Sequence, residues 1–188
     1  MNGRNARSNY IITNFMDTYY TIEEKYLQAV DELTYGENPK ALKLLNEIIS
    51  NDPLYARAHY QLGTLYYYEI KDYQAAGYHF ETCVGLEPSF PDVYYPYLHL
   101  VVFLNMEKKV LDVAAKALAS PGVNATEIYY LQGLFYEKNK KWTDALRAYH
   151  NAFMDVTHRK QKNDIEESIT RVKAKMQQNL AYQYHMQD

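Results

Sequence analysis

Little in this chain could staple, anchor or catalyse. Its 188 residues include one cysteine, Cys83, so no disulfide can close within the chain, and such usage fits a reducing compartment. Cys83 stands in a repeat column that otherwise holds Ile or Ala, which reads as a small buried residue rather than a reactive thiol. No apolar run approaches the ~20 residues of a membrane-spanning helix, and no strand-like alternation appears anywhere. The segment MNGRNARSNYIITNFM has two arginines but neither the long apolar stretch nor the small-residue cleavage site of a secretory signal. A cytoplasmic location is expected, or a periplasmic or exported one if a signal was removed before residue 1. Charge of one sign is also lacking: a net −3 gives no general attraction to nucleic acid or to an anionic membrane.

The chemistry of enzymes is equally sparse. His59, His79, His99, His150, His158 and His185 form no H-E-x-x-H and no Cys/His cluster of metal spacing. No glycine-rich phosphate loop, G-x-S-x-G or nucleophile–base constellation is present. The expectation is no metal, no cofactor and no catalysis. Two basic clusters, Lys138/Lys140/Lys141 and Arg159/Lys160/Lys162, follow successive antiparallel helices. They fall on opposite edges and do not merge into one phosphate-binding stripe. Asn124-Ala-Thr126 fits a glycosylation acceptor, but Asn124 already has a place as a helix cap.

What the chain has is tyrosine: 21, against six phenylalanines and one tryptophan. Tyr26, Tyr60, Tyr95 and Tyr130 stand 34, 35 and 35 residues apart. Small residues recur with them at Ala29, Gly63 and Gly133; at Ala41, Ala76 and Ala145, with Val110 in the third slot; and along the column Ile48, Cys83, Ala117, Ala152. A period near 34 residues means stacked units, each burying one face on the next.

Helical periodicity predicts helices over about 22–35, 38–51, 55–70, 72–86, 91–105, 107–119, 125–138, 141–155 and 164–184. A further short one is predicted over 8–19, where Tyr10, Ile11, Phe15 and Tyr19 share a side. Thr21-Ile-Glu-Glu24 reads as a capping box, and Asn124/Glu127 and Asn163/Glu166 offer an Asn-capped version. Asp52-Pro53, Glu87-Pro88, Gly36 and Gly122 mark helix ends. Connections of two to five residues make each pair antiparallel.

In register, these residues resemble the tetratricopeptide repeat (TPR) family. The second unit reads Tyr60-Gln-Leu62-Gly63, then Tyr66, Tyr73, Ala76, Phe80 and Pro88. The fourth reads Tyr129, Gly133, Tyr136, Trp142, Ala145, Tyr149 and Ala152, and the first keeps Ala29, Gly36, Ala41, Leu45 and Asp52-Pro53. The third departs: Leu98 replaces the small residue, Val110 the alanine, and Pro96 lies inside the first helix, which predicts a kink or late start there and either a spoiled groove or a new pocket.

The resemblance implies an all-α, right-handed solenoid of about four helix pairs with a C-terminal capping helix. The expected organisation is an N-terminal extension or short helix over 1–20, four repeats over 21–157 (about 22–53, 56–88, 91–122 and 126–157), and a cap over 158–188. The cap's stripe is Ile165, Ile169, Val172, Met176 and Leu180. It further implies that the first helix of each pair lines a concave groove. The groove positions are Tyr26, Tyr60, Tyr95 and Tyr130; then Val30, Thr64, His99 and Leu134; then Leu33, Tyr67, Val102 and Glu137 beside Thr34, Tyr68, Phe103 and Lys138. The candidate peptide-binding residues among these are Tyr26, Val30, Tyr60, Thr64, Tyr67, Tyr68, Tyr95, His99, Phe103, Tyr130 and Leu134.

Such a groove would be aromatic and apolar, with charge only at its C-terminal end. It suits a peptide or helix of a partner protein. Alternatively the rings pack between units, lie under residues 1–20, or pair two copies as a homodimeric scaffold. Some family members clamp a peptide's terminal carboxylate with cationic and amide side chains. Those positions here are Tyr26, Val30, Gln61, Asp92 and Pro96, so that clamp is absent.

Overall fold

The computed structural model describes residues 21–185, with side chains to Gln178. The helix expected over 8–19 lies outside the described residues. Nine α-helices follow in chain order: α1 (Ile22–Thr34), α2 (Asn38–Asn51), α3 (Ala56–Leu65), α4 (Tyr73–Leu86), α5 (Tyr94–Phe103), α6 (Glu107–Ala119), α7 (Ala125–Lys138), α8 (Trp142–Asp155) and α9 (Arg159–His185). No strand occurs among the described residues. Consecutive helices pack as antiparallel pairs, and each pair leans on the next through its first helix. The architecture is an α-solenoid.

Local chemistry sets the helix starts. The Thr21 hydroxyl accepts from the Glu24 amide at 3.2 Å while the Glu24 carboxylate accepts from the Thr21 amide at 2.8 Å, a complete capping box. Asn124 Oδ1 accepts from the Thr126 amide at 3.1 Å, and Asp72 Oδ1 accepts from the Ala75 amide at 3.0 Å. The Asn163 cap is a correction: α9 already begins at Arg159, so Asn163 lies inside it. The run Arg159-Lys-Gln-Lys is a good helix former, and nothing in it stops the helix.

Pro96 delays α5. A 3-10 turn over Pro91–Val93 precedes the helix, and Pro96 sits in its first turn, where the missing N–H costs no hydrogen bond. The helix expected over 91–105 therefore starts later, at Tyr94, and it ends at Phe103.

The small columns act as expected of a contact point. A Cβ on Gly63 would meet Phe80 Cδ1 at 2.6 Å, and one on Gly133 would meet Tyr149 Cδ1 at 2.5 Å. Both rings are fully buried. The third pair lacks this contact. Leu98 and Val110 are fully buried in the equivalent slots, and α5 packs on α6 over less of its length than the other pairs do.

The same columns carry a register offset that the structure explains. Twelve residues separate Ala29 from Ala41, Leu98 from Val110 and Gly133 from Ala145, but thirteen separate Gly63 from Ala76. The extra residue is absorbed by a π turn over Tyr66–Ile70. The turn-closing hydrogen bonds record it. Glu37 N donates to Glu32 O, Met106 N to Val101 O and Lys141 N to Tyr136 O, whereas Asp72 N reaches one residue further back, to Tyr66 O. A second offset lies between units: 22 residues separate Ala41 from Gly63 and Ala76 from Leu98, but 23 separate Val110 from Gly133. That residue falls in the turn between α6 and α7.

Each of the four turns within a pair holds one residue in the left-handed region: Gly36 (φ 77°), Lys71 (65°), Asn105 (57°) and Lys140 (58°). Only the first is glycine.

Candidate functional site

The tyrosine column divides in the structure. Tyr60 and Tyr95 line one cavity of about 500 Å³, while Tyr26 and Tyr130 lie at the two ends of the stack. Tyr26 packs on Tyr55 with ring centroids 5.5 Å apart, and its hydroxyl accepts from Gln61 Nε2 at 3.4 Å. Tyr130 packs on Tyr149 at 5.6 Å. Val30 and Leu134 are half-buried, and Leu134 packs against the cores on both sides of it.

Three first helices build the cavity. From α3 and the π turn come Tyr60, Thr64 and Tyr68; from the start of α5 come Pro91, Asp92, Tyr95 and Pro96. The turn before α7 supplies Gly122, Val123 and Asn124, and α7 itself Glu127 and Ile128. Both register offsets thus abut this one cavity: Tyr68 sits on the π turn, and Gly122–Asn124 on the lengthened turn. Pro91 and Pro96 form part of its wall, so the break in the third unit opens a hollow here.

The rings are held rather than free to collapse into it. Tyr60 meets Phe90 edge-on at 5.2 Å. Tyr68 and Tyr95 are 39% and 41% exposed. Burial pushes the Tyr60 hydroxyl up from its usual pKa, with Asp92 adding to the shift. Burial does the same to Tyr95, with Glu127 adding.

The expectation of charge only at the C-terminal end is corrected. Asp92 and Glu127 both line this cavity, and among the described residues no lysine or arginine does. They stand in the first turns of neighbouring helical segments, where a carboxylate also suits the helix dipole.

Tyr67 departs from the expected surface position, being only 6% exposed. Its ring is in the central core, against Tyr68 at 4.6 Å and Tyr73 at 6.0 Å, and the equivalent Val102 and Glu137 are buried too. Its hydroxyl lies 2.6 Å from His99 Nδ1. Burial lifts the Tyr67 pKa to about 12 and lowers that of His99, so the phenol donates and the neutral imidazole accepts. His99 then stacks beside Tyr95 at 6.1 Å. Tyr67 fixes His99, and His99 backs the exposed Tyr95. Phe103 is half-exposed, against Tyr73 at 5.1 Å.

Glu137 is not a groove charge awaiting a ligand. At 8% exposed, it accepts from Tyr149 Oη, Arg171 Nε, Arg171 Nη2 and Lys175 Nζ, each at 2.8 Å. The Arg171 guanidinium, with Lys175 and Tyr149, holds its carboxyl down at about 2 despite burial. The network pins α9 to α7 while Ile165, Ile169 and Val172 bury against α8. Arg171 and Lys175 lie 34 and 38 residues away in sequence, a separation that no local pattern signals.

Two further buried groups were not expected to matter. His59 Nε2 donates to the Pro53 carbonyl at 3.0 Å, so its Nδ1 must accept from His79 Nδ1, also at 3.0 Å. Burial, with His59 adjacent, pushes the His79 pKa down to about 4. Cys83 is fully buried, and burial raises its thiol to about 12, which leaves it unreactive at neutral pH. No described helix is long and apolar enough to cross a membrane.

No family model matches the chain, and no curated protein sequence matches it. Solved structures do. A crystal structure of MamA protein superposes with a TM-score of 0.63 at 16% identity, covering 86% of this chain and 94% of that one. MamA from Desulfovibrio magneticus RS-1 (41-end) gives 0.61 at 20% identity, covering 81% and 93%. PilW, described as a widely conserved type IV pilus biogenesis factor, gives 0.59 at 14% identity, covering 86% and 94%. Both neighbours are TPR proteins, and at these identities the likeness is one of fold: the chain has a TPR-like helical-repeat fold.

Proposed function

We propose that this protein is a non-enzymatic interaction module that takes a peptide or helix segment of a partner protein in its concave, tyrosine-lined hollow. The observation behind this reading is the cavity of about 500 Å³ bounded by Tyr60, Tyr68 and Tyr95. Its volume lies within the ~300–1,000 Å³ of ordinary ligand pockets. Tyrosines that are half-exposed, ordered by neighbours and set in a concavity make good anchors, because little rotamer freedom is lost on binding. The fold shared with TPR proteins points the same way.

The test is a random-peptide display library panned on the full chain, with affinities measured for the peptides recovered. Tyr60→Ala with Tyr95→Ala is expected to weaken binding by ~1 kcal/mol or more per ring while the circular dichroism stays helical. A double variant that unfolds with no separable binding loss would make the rings core and end the proposal.

A second reading, self-association, is favoured by one observation: Leu27 in the first unit and Leu54 in the turn after it are 62% and 71% exposed. Light scattering over a range of concentrations separates the two. A monomer at high concentration removes self-association.

A further inference from the structure

We infer that the mid-groove cavity is a subsite for a cationic side chain, arginine or lysine, presented by the partner segment. This deepens the groove reading above and rests on it.

The cavity pairs two kinds of group that suit a cation and lacks those that suit an anion. Tyr60, Tyr68 and Tyr95 supply three tyrosine rings to its wall, and an aromatic ring attracts a cation held within ~6 Å of its centroid. Asp92 and Glu127 supply carboxylates from two different helical segments. Neither carboxylate has an ion-pair or hydrogen-bond partner among the described residues, whereas Glu137, Glu81 and Glu107 each hold a cation across helices. Among the described residues no basic side chain lines the hollow to neutralise them. The tyrosine hydroxyls register the same negative field, since Asp92 and Glu127 each oppose ionisation of a neighbouring phenol.

An arginine suits this arrangement best. Its guanidinium is planar, stacks on a ring and offers several donors in a fixed fork, so one group can lie against a tyrosine and reach a carboxylate together. A terminal carboxylate or acidic side chain would meet uncompensated like charge. The selectivity is therefore opposite in sign to that of the carboxylate clamp whose residues are missing here.

The two acidic residues also suit helix N-termini, and a purely dipolar role predicts no preference among ligands. The peptides recovered on the full chain decide between these. Enrichment of arginine or lysine is expected, together with weakening at raised salt. Replacing that residue by leucine in the best peptide should lower affinity about ten-fold. Asp92→Asn with Glu127→Gln should lower it similarly for the cationic peptide and hardly at all for the leucine peptide, a coupling that a stability effect would not produce. Asp92→Asn alone, at an exposed position, serves if the double variant folds poorly.

Binders without a basic residue, or cationic binders indifferent to both carboxylates, overturn this inference and leave the groove reading standing. No binders, or binders indifferent to Tyr60 and Tyr95, overturn both.

Discussion

The α5–α6 and α7–α8 pairs occupy equivalent places in the repeat with opposite contact chemistry. In α7–α8, Gly133 lets the Tyr149 ring lie flat against the backbone, and the pair is then locked to α9 through Glu137. In α5–α6, Leu98 and Val110 fill the slot, Pro96 delays the first helix, and the lengthened turn before α7 leaves space beside it. The tight pair buries its polar groups in a closed network. Beside the looser pair, three tyrosines and two carboxylates line a hollow. A repeat protein can thus open a hollow where the repeat is broken, because stability is shared with the neighbouring interfaces.

The comparison can be broken most directly at Leu98. If Leu98 props α5 off α6, Leu98→Ala leaves a cavity and costs ~2–5 kcal/mol. Denaturant unfolding would show it, and a near-neutral result would mean that the helices simply close up.

Acid should then separate the two halves. Glu137 is depressed in the folded state, so its contribution is complete above its ordinary pKa near 4.5 and lost as pH falls toward about 2. That contribution reaches ~3 kcal/mol at most. His79 is also depressed, from 6.5 to about 4, but by burial of a neutral ring. Here the unfolded chain binds the extra proton, so stability falls by up to ~3 kcal/mol as pH drops from 6.5 to 4 and no further below. Stability measured against pH should lose the upper slope in His79→Phe and the lower one in Glu137→Gln. A single slope unaffected by either variant would contradict both assignments.

The tight pair is expected to reject the change that the loose pair embodies. Gly133→Ala puts a methyl into the Tyr149 ring and should cost ~1–3 kcal/mol in thermal unfolding. Tolerance of alanine there would mean that the close approach is slack. The smallest effect concerns the turns. A left-handed backbone costs an L residue ~1–2 kcal/mol, and glycine's extra unfolded freedom returns ~0.5–1. Lys71→Gly or Lys140→Gly should therefore stabilise by ~0.5 kcal/mol, with a matching rise in denaturation midpoint.

Much of the scaffold was legible because its signals are local or periodic. The Thr21–Glu24 box, the Asn124 cap, the stops at Asp52 and Glu87 and most helix spans follow from capping chemistry and helical period. The π turn was written in the thirteen-residue gap between Gly63 and Ala76, but a gap has no direction until a partner helix fixes what it must match. Lys71 and Lys140 gave no turn signal, since lysine is not a residue that prefers left-handed backbone. Asn163 gave a false one, because a cap residue inside a strong helix former is simply helical.

The amino-acid sequence by itself determined helix pairs in register, small residues at their crossings and tyrosine at a recurring position, since all three follow from period, side-chain volume and capping. Only the tertiary structure decided which tyrosines face a hollow, which one turns inward to hold His99, and which carboxylates meet cations. Those outcomes depend on contacts between residues some 30 or more positions apart, which no local pattern records.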